Sequence, residues 1–190
     1  MHELPSLSYT KERILQNMGK LPQIYMRHPD ITNLPELVLP EGITLHTHIE
    51  GTEENWENLI ESAFGHRYSF DACIRNGGDY KPEHVLYLSK DGKDIATTTA
   101  VEKDIFPGEG WFRMVGVSAD AKGTGAGRLI ALAALHVLAK RGYKTVVLST
   151  DDERLPAINL YYSLGFRPIY THESHTERWN KILPQLKYNK

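Results

Sequence analysis

Apolar and polar positions alternate over residues 43–49, with Ile43, Leu45, Thr47 and Ile49 on one side and Thr44, His46 and His48 on the other. A period of two is that of a half-buried strand, so this stretch is expected to be the first strand of a sheet. The period then changes. Residues 52–64 open with a helix-capping signature at Thr52 and set Trp56, Leu59, Ile60, Ala63 and Phe64 along one stripe, as in a helix covering the sheet. Residues 65–80 mix a short helical piece near 70–75 with a glycine-rich loop that carries Tyr68, Phe70 and Asp79. Residues 84–90 and 94–102 predict two strands joined by Lys90-Asp91-Gly92-Lys93, a hairpin turn with Asp-Gly at its tip.

The second half repeats a different rhythm. Pro107 to Gly110 turns the chain into an apolar strand ending at residues 114–117, and a helix follows that is apolar nearly all round from 129 to 139 until Lys140, Arg141 and Gly142 close it. Residues 143–149 are a β-branched run suited to a covered parallel strand, which makes a βαβ unit. Pro156 fits the first turn of the next helix, Gly165 its left-handed end, residues 166–170 a strand and residues 175–186 a last short helix. The start of the chain reads differently. Five of the ten prolines, Pro5, Pro22, Pro29, Pro35 and Pro40, fall in the first 40 residues and oppose long regular structure there, apart from a helix over 10–18. Leu21, Ile24, Tyr25, Leu34 and Leu37 are too many apolar residues for a solvated tail. Residues 1–42 are therefore expected to be an arm packed on the body or on a second subunit, and residues 43–190 a single domain.

Composition narrows the classes. With 190 residues and 41% hydrophobic content the chain can bury one core. A formal charge of −2, from 22 basic and 24 acidic residues, suggests no electrostatic grip on nucleic acid or on an anionic membrane. No apolar run reaches a membrane span and the first residues lack a signal-peptide pattern, so the expected location is cytoplasmic. One cysteine, Cys73, excludes an internal disulfide and any multi-cysteine metal site, and its expected role is that of a small apolar side chain. His46 and His48 are too few to hold a metal, and no metal is expected.

The candidate chemistry lies in residues 111–127, WFRMVGVSADAKGTGAG, where a strand breaks into a glycine-spaced loop that becomes a helix. The glycines Gly123, Gly125 and Gly127 allow a sharp turn with positive backbone angles. A helix start has unpartnered N–H groups and partial positive charge, so the loop can cradle an anion. A nucleoside-triphosphate loop would need Gly-Lys-Ser/Thr where Gly127-Arg128-Leu129 stands, and that reading fails. A dinucleotide fingerprint would need G-x-G-x-x-G and an acidic residue nearer than Asp151. The third pattern, R/Q-x-x-G-x-G/A, is met by Lys122-Gly123-Thr124-Gly125-Ala126-Gly127. Downstream, Arg154-Leu155-Pro156-Ala157-Ile158-Asn159-Leu160-Tyr161 runs on to Gly165-Phe166. At these two segments, about a third of the chain, the sequence resembles the GNAT superfamily of acyl-CoA N-acyltransferases. Lys122 stands where that family usually has Arg or Gln, and Arg154 where many members have Asn.

The resemblance implies a single α+β domain, a mixed, strongly bent sheet flanked by helices, with an extended N-terminal arm. It implies acetyl-CoA as co-substrate and an acceptor that is a primary amine of a small molecule or a protein, attacked directly in a ternary complex. The pantetheine arm would pair with exposed backbone near Val115, Gly116 and Val117, with Gly116 easing a bulge. The pyrophosphate would sit on the N–H groups of residues 123–128, with Lys122 and Arg128 adding charge and Thr124 a hydroxyl. Arg154 is a further cofactor-side candidate, and Tyr161 matches the family's general acid. Glu102, Asp151 and Asp152, at expected strand ends, are candidates for the base. A non-catalytic acyl-CoA-binding sensor or interaction module is the alternative, and a homodimer is compatible with the arm.

Overall fold

The computed structural model describes residues 21–77, 79–103 and 105–188. Seven strands form one mixed sheet: β1 (Ile24–His28), β2 (Ile43–Thr47), β3 (Val85–Lys90), β4 (Lys93–Glu102), β5 (Gly110–Val117), β6 (Val146–Thr150) and β7 (Arg167–Ile169). Their order is β2-β3-β4-β5-β6-β1-β7, and only β5 and β6 run parallel. Helix α1 (Glu53–Phe64) leads to the short α2 (Phe70–Cys73); α3 (Ala126–Lys140) joins β5 to β6; α4 (Leu155–Ser163) and α5 (Ser174–Ile182) flank β7.

Burial explains the layers. Residues Ile130 to Leu135 of α3 are all buried, which accounts for its all-round apolar pattern: one side meets the sheet and the others meet α4 and the chain around β1. The opposite face of β3–β5 is covered by Trp56, Leu59 and Ile60 of α1 together with Phe70 of α2. Trp111 and Val147 form a separate small cluster with Val101, Tyr25 and Phe106. Among the described residues no helix is long and apolar enough to cross a membrane.

The largest departure from the sequence reading is β1. Residues 24–28, expected in an arm, are a strand between β6 and β7, with Ile24 and Met26 fully buried, so β2 is not the first strand of the sheet. Pro22 and Pro29 bound this five-residue strand instead of forbidding it, since a proline outside the ladder removes no sheet hydrogen bond. The helix expected over 10–18 lies outside the described residues. The alternation over 43–49 also breaks: β2 ends at Thr47, His48 turns inward and Ile49 is exposed. The His48 amide still donates to the Val85 carbonyl at 2.9 Å, and its ring is buried against Phe70 and Tyr87. Thr52 does not cap α1 with its side chain, because its hydroxyl donates to the Ile49 carbonyl at 2.6 Å.

Candidate active site

β5 is paired unequally. Against β4 the ladder runs from Gly110↔Glu102 to Val117↔Ala96, with one extra residue on β5 between Arg113 and Gly116. Within that bulge Met114 has φ 54°, a left-handed conformation that bulky residues rarely adopt. Against β6 the ladder holds only Gly110↔Val146 and Trp111↔Val147, and the two strands then part. From the sequence, Gly116 is expected to ease a bulge near Val115 to Val117. The structure puts it at Met114, while Gly116 serves close packing, since a Cβ there would stand 2.8 Å from Ile60 Cδ1.

The gap between the parted strands opens into a cleft of about 730 Å³. Met114 and Val115 of β5, Ser149 and Thr150 of β6, and Ala157 and Tyr161 of α4 line it, with Phe64 and Tyr68 at the α1 side. Tyr161 is held by edge contacts to Phe112 and Phe166, with ring centroids 5.8 and 6.0 Å away. Its hydroxyl has no hydrogen-bond partner among the described residues, and Tyr161, 7% exposed, lines the cleft. Burial pushes the phenol well above the usual tyrosine range, against a smaller opposing effect of Arg154, so it is protonated at neutral pH.

Arg154 lies ahead of α4 and lines the same cleft. Its Nε is 3.3 Å from Asp151 Oδ2, and its guanidinium stands over the Phe64 ring at 4.7 Å, which ties the end of α1 to the start of α4 across the gap. Of the base candidates, only Asp151 reaches the cleft, where Gln23 donates to it at 3.0 Å. Asp152 is held bidentately by Arg178 at 2.6 and 2.8 Å. Glu102 accepts from the Tyr143 hydroxyl at 2.7 Å and from the Gly108 amide at 3.1 Å, and these bonds hold its carboxyl below the usual range. Neither lines the cleft.

The glycine loop follows β5. Gly123 and Gly125 have φ of 82° and 91°, and open space surrounds the point where each Cβ would stand. Gly127 has no positive φ, and a Cβ there would meet Leu160 and Val117 at 3.4 Å, an ordinary contact, so the positive angle expected of it is not found. Among the described residues the amides of Gly123, Gly125, Ala126 and Gly127 have no backbone partner. The amides of Thr124 and Arg128 are turned inward, onto the carbonyls of Ala121 at 3.3 Å and Gly125 at 3.0 Å. The Thr124 hydroxyl donates to the Ala121 carbonyl at 2.7 Å, so its proton stabilises the loop and is not free for a ligand. Lys122 and Arg128 are exposed beside these amides, Arg128 donating to Ser163 Oγ at 3.2 Å. Arg128 also opens a second groove, with Asn159, Lys187 and Tyr188 farther along it.

Other candidates lie elsewhere. His46 contacts Ser89 and Asp94, each at 2.8 Å, whereas His48 stands with Glu50 and Glu53, so the two histidines do not share a site. The ligand atoms of His48, Glu50 and Glu53 lie within 4.8 Å of one another, but Arg75 already pairs with Glu50 at 3.0 Å and Glu53 at 2.6 Å. Cys73 is half-buried, and burial pushes its thiol upward, away from a reactive thiolate.

The sheet is thus parted at its centre, with a protonated phenol in the gap and a row of amides without backbone partners in the loop after the parted strand. The Acetyltransferase (GNAT) family pattern matches residues 51–166, and the chain belongs to that family. It is 34% identical over 154 residues to the mycothiol acetyltransferase of Nocardia farcinica, covering 72% of this chain and 49% of that one. The same-named protein of Thermomonospora curvata is 33% identical over 153 residues, covering 75% and 50%. The chain thus spans about half the length of the curated relatives it matches. Among solved structures, a GCN5-related N-acetyltransferase from Sphaerobacter thermophilus superposes with a TM-score of 0.64 at 25% identity over 85% of this chain and 54% of that one. The ribosomal-protein-S18-alanine N-acetyltransferase of Escherichia coli shares the fold, with a TM-score of 0.57 at 23% identity over 67% and 79%.

Proposed function

We propose that this chain transfers the acetyl group of acetyl-CoA to a primary amine of a small molecule, by direct attack within a ternary complex. The observation that carries the reading is the unpartnered Tyr161 hydroxyl in the cleft at the parting of β5 and β6. The free amides of Gly123, Gly125, Ala126 and Gly127, flanked by Lys122 and Arg128, fit a diphosphate. The unpaired edge of β5 at Val115 fits an amide-bearing arm, which would complete the ladder as an added strand. Val117 and Gly116 contribute through backbone position and packing. The thioester supplies an activated carbonyl and a thiol leaving group. As the amine nitrogen bonds to the carbonyl carbon and the carbon–sulfur bond breaks, Tyr161 gives its proton to the sulfur; the nitrogen releases one proton to solvent, and the phenolate takes one back from solvent, so the net products are amide and free thiol.

The small-molecule acceptor rests on the relatives' name, mycothiol acetyltransferase. Acetyl-CoA-dependent thiol release over a panel of small amines tests the reading. Saturable, amine-dependent release that collapses in Tyr161→Phe supports it; tight acetyl-CoA binding with no release for any amine would replace it by the binding-module alternative.

A further inference from the structure

Two cations line the cleft that the sequence reading did not single out. Arg113 follows Trp111 and Phe112 on β5, immediately before the bulge at Met114, and lines both the cleft and a small cavity beside Cys73 and Asp79. Among the described residues it has neither a carboxylate within ion-pair distance nor a hydrogen-bonding acceptor for its guanidinium. The neighbouring carboxylate, Asp79, is engaged by Arg141 at 3.1 Å, and Cys73 at the far side is a protonated thiol. Burial pulls Arg113 below the usual arginine range, although it stays charged at neutral pH. Lys103 lines the same cleft from the end of β4, its Nζ 4.5 Å from the Trp111 ring centroid, also without a carboxylate partner among the described residues.

This arrangement is expensive unless it serves something. Nearly every other arginine of the described fold is used: Arg27 on Glu109, Arg67 on Glu57, Arg75 on Glu50 and Glu53, Arg178 on Asp152. A partly desolvated guanidinium left without an anion costs free energy that a bound carboxylate or phosphate would recover, because its planar fork pairs with either in two parallel hydrogen bonds. Trp111 on the same strand and Phe64 and Tyr68 at the α1 side make the surroundings aromatic, which lowers the local dielectric. The anionic side chain of the cleft, Asp151, is already shared by Arg154 and Gln23.

Resting on the acetyltransferase reading above, we infer that Arg113 and Lys103 form an oxyanion-recognising acceptor subsite, so that the amine this chain acetylates also carries a carboxylate or phosphate group. Arg113 supplies the bidentate contact, and Lys103, held on Trp111, a second point charge. The substrate's amine is thereby anchored at a fixed distance from its anionic end, which orients the nitrogen toward the gap at Tyr161.

Matched acceptors test this. Glycylglycine and glycylglycinamide have similar amines and differ in the carboxylate; O-phosphoethanolamine and ethanolamine differ in the phosphate. The expected result is that kcat/KM favours the anionic member of at least one pair by about tenfold or more, the worth of a charge-assisted bond. Which pair shows it separates a carboxylate from a phosphate acceptor. In Arg113→Gln that ratio falls toward one while the Kd for acetyl-CoA stays within about twofold, and Arg113→Lys restores part of the ratio. Equal kcat/KM within both pairs in the unaltered protein, or an unchanged ratio in Arg113→Gln, overturns the inference and leaves the acetyltransferase reading standing. If no amine supports thiol release, the acetyltransferase reading fails, and the subsite is tested by itself. N-acetylglycylglycine should then quench tryptophan fluorescence saturably in the unaltered protein and not in Arg113→Gln, and a flat titration in both overturns the subsite too.

Discussion

The two edges of β5 meet neighbours of similar composition and end differently. Toward β4 the strand is paired as far as Val117, and toward β6 it is released after Trp111. Both neighbours are β-rich and buried, so hydrophobicity does not distinguish the edges. The difference lies in what happens beyond the shared end. β6 keeps its ladder to β1 up to Thr150↔Ile24, so β1 holds β6 away on its own course while α1 and the Met114 bulge hold β5 on another. Backbone groups on the released edge need partners, and in the absence of a strand they are offered to water or to an extended ligand. A sealed edge stabilises the fold; an unsealed edge a few residues away creates a site.

That contrast is broken most severely at the gap. Tyr161→Phe keeps the ring packing on Phe112 and Phe166 and removes only the hydroxyl, so turnover should fall by about 10²–10⁴ while acetyl-CoA affinity changes little. Pre-steady-state and titration measurements separate the two quantities. The pH profile sharpens this. Because burial raises the Tyr161 phenol, its acid form persists above the reference value, and kcat should not decline through loss of that proton up to about pH 10. A descending limb near pH 9 that disappears in Tyr161→Phe would refute the assignment.

Next in size is the loop that ends the released strand. Gly125 has φ 91°, and an L-residue there is strained by about 1–2 kcal/mol before any charge is considered. Gly125→Asp adds a negative charge beside the free amides and should weaken acetyl-CoA binding by about tenfold or more, read by calorimetry. Gly125→Ala, with strain and no charge, should lie between.

The sealed edge responds in stability. Gly116→Val would push on Ile60 Cδ1, and overpacking of this kind costs about 1–3 kcal/mol, or about 2–10 °C in Tm. Cutting Ile60 back to Ala should recover part of the loss; no recovery would mean that the glycine serves the strand's backbone. The smallest expected effect is at the shared end, where Arg27 of β1 grips Glu109 bidentately at 2.7 and 2.8 Å. Glu109→Gln should cost about 1 kcal/mol or less, since the pair is partly solvated, and thermal melts in low and high salt should converge.

Much of this was legible before folding. The stripe Trp56-Leu59-Ile60, the Asp91-Gly92 hairpin, the apolar α3 and the proline in the first turn of α4 are local signals, and each element stands where its pattern places it. The glycine loop was legible for the same reason: a left-handed backbone at Gly123 and Gly125 is a property of a few residues. β1 was not legible, because five residues between two prolines carry too short a pattern to outweigh the prolines. Arg113 did leave a trace, a single cation in the run Trp111 to Val117, but a sequence does not say whether such a charge finds a carboxylate.

Local propensity and spacing, then, settled the elements, the loop and the family to which they belong, since each depends on neighbours a few residues apart. The parting of β5 from β6 depends on β1, which lies some 120 positions from β6 in the chain, and so does the rim at Gln23, which meets Asp151 across 128 positions. Contacts at that separation are fixed only when layers pack and every strand edge finds or lacks a partner. Which edge stays open, which arginine stays unpaired, and therefore where chemistry occurs, are decided at that stage.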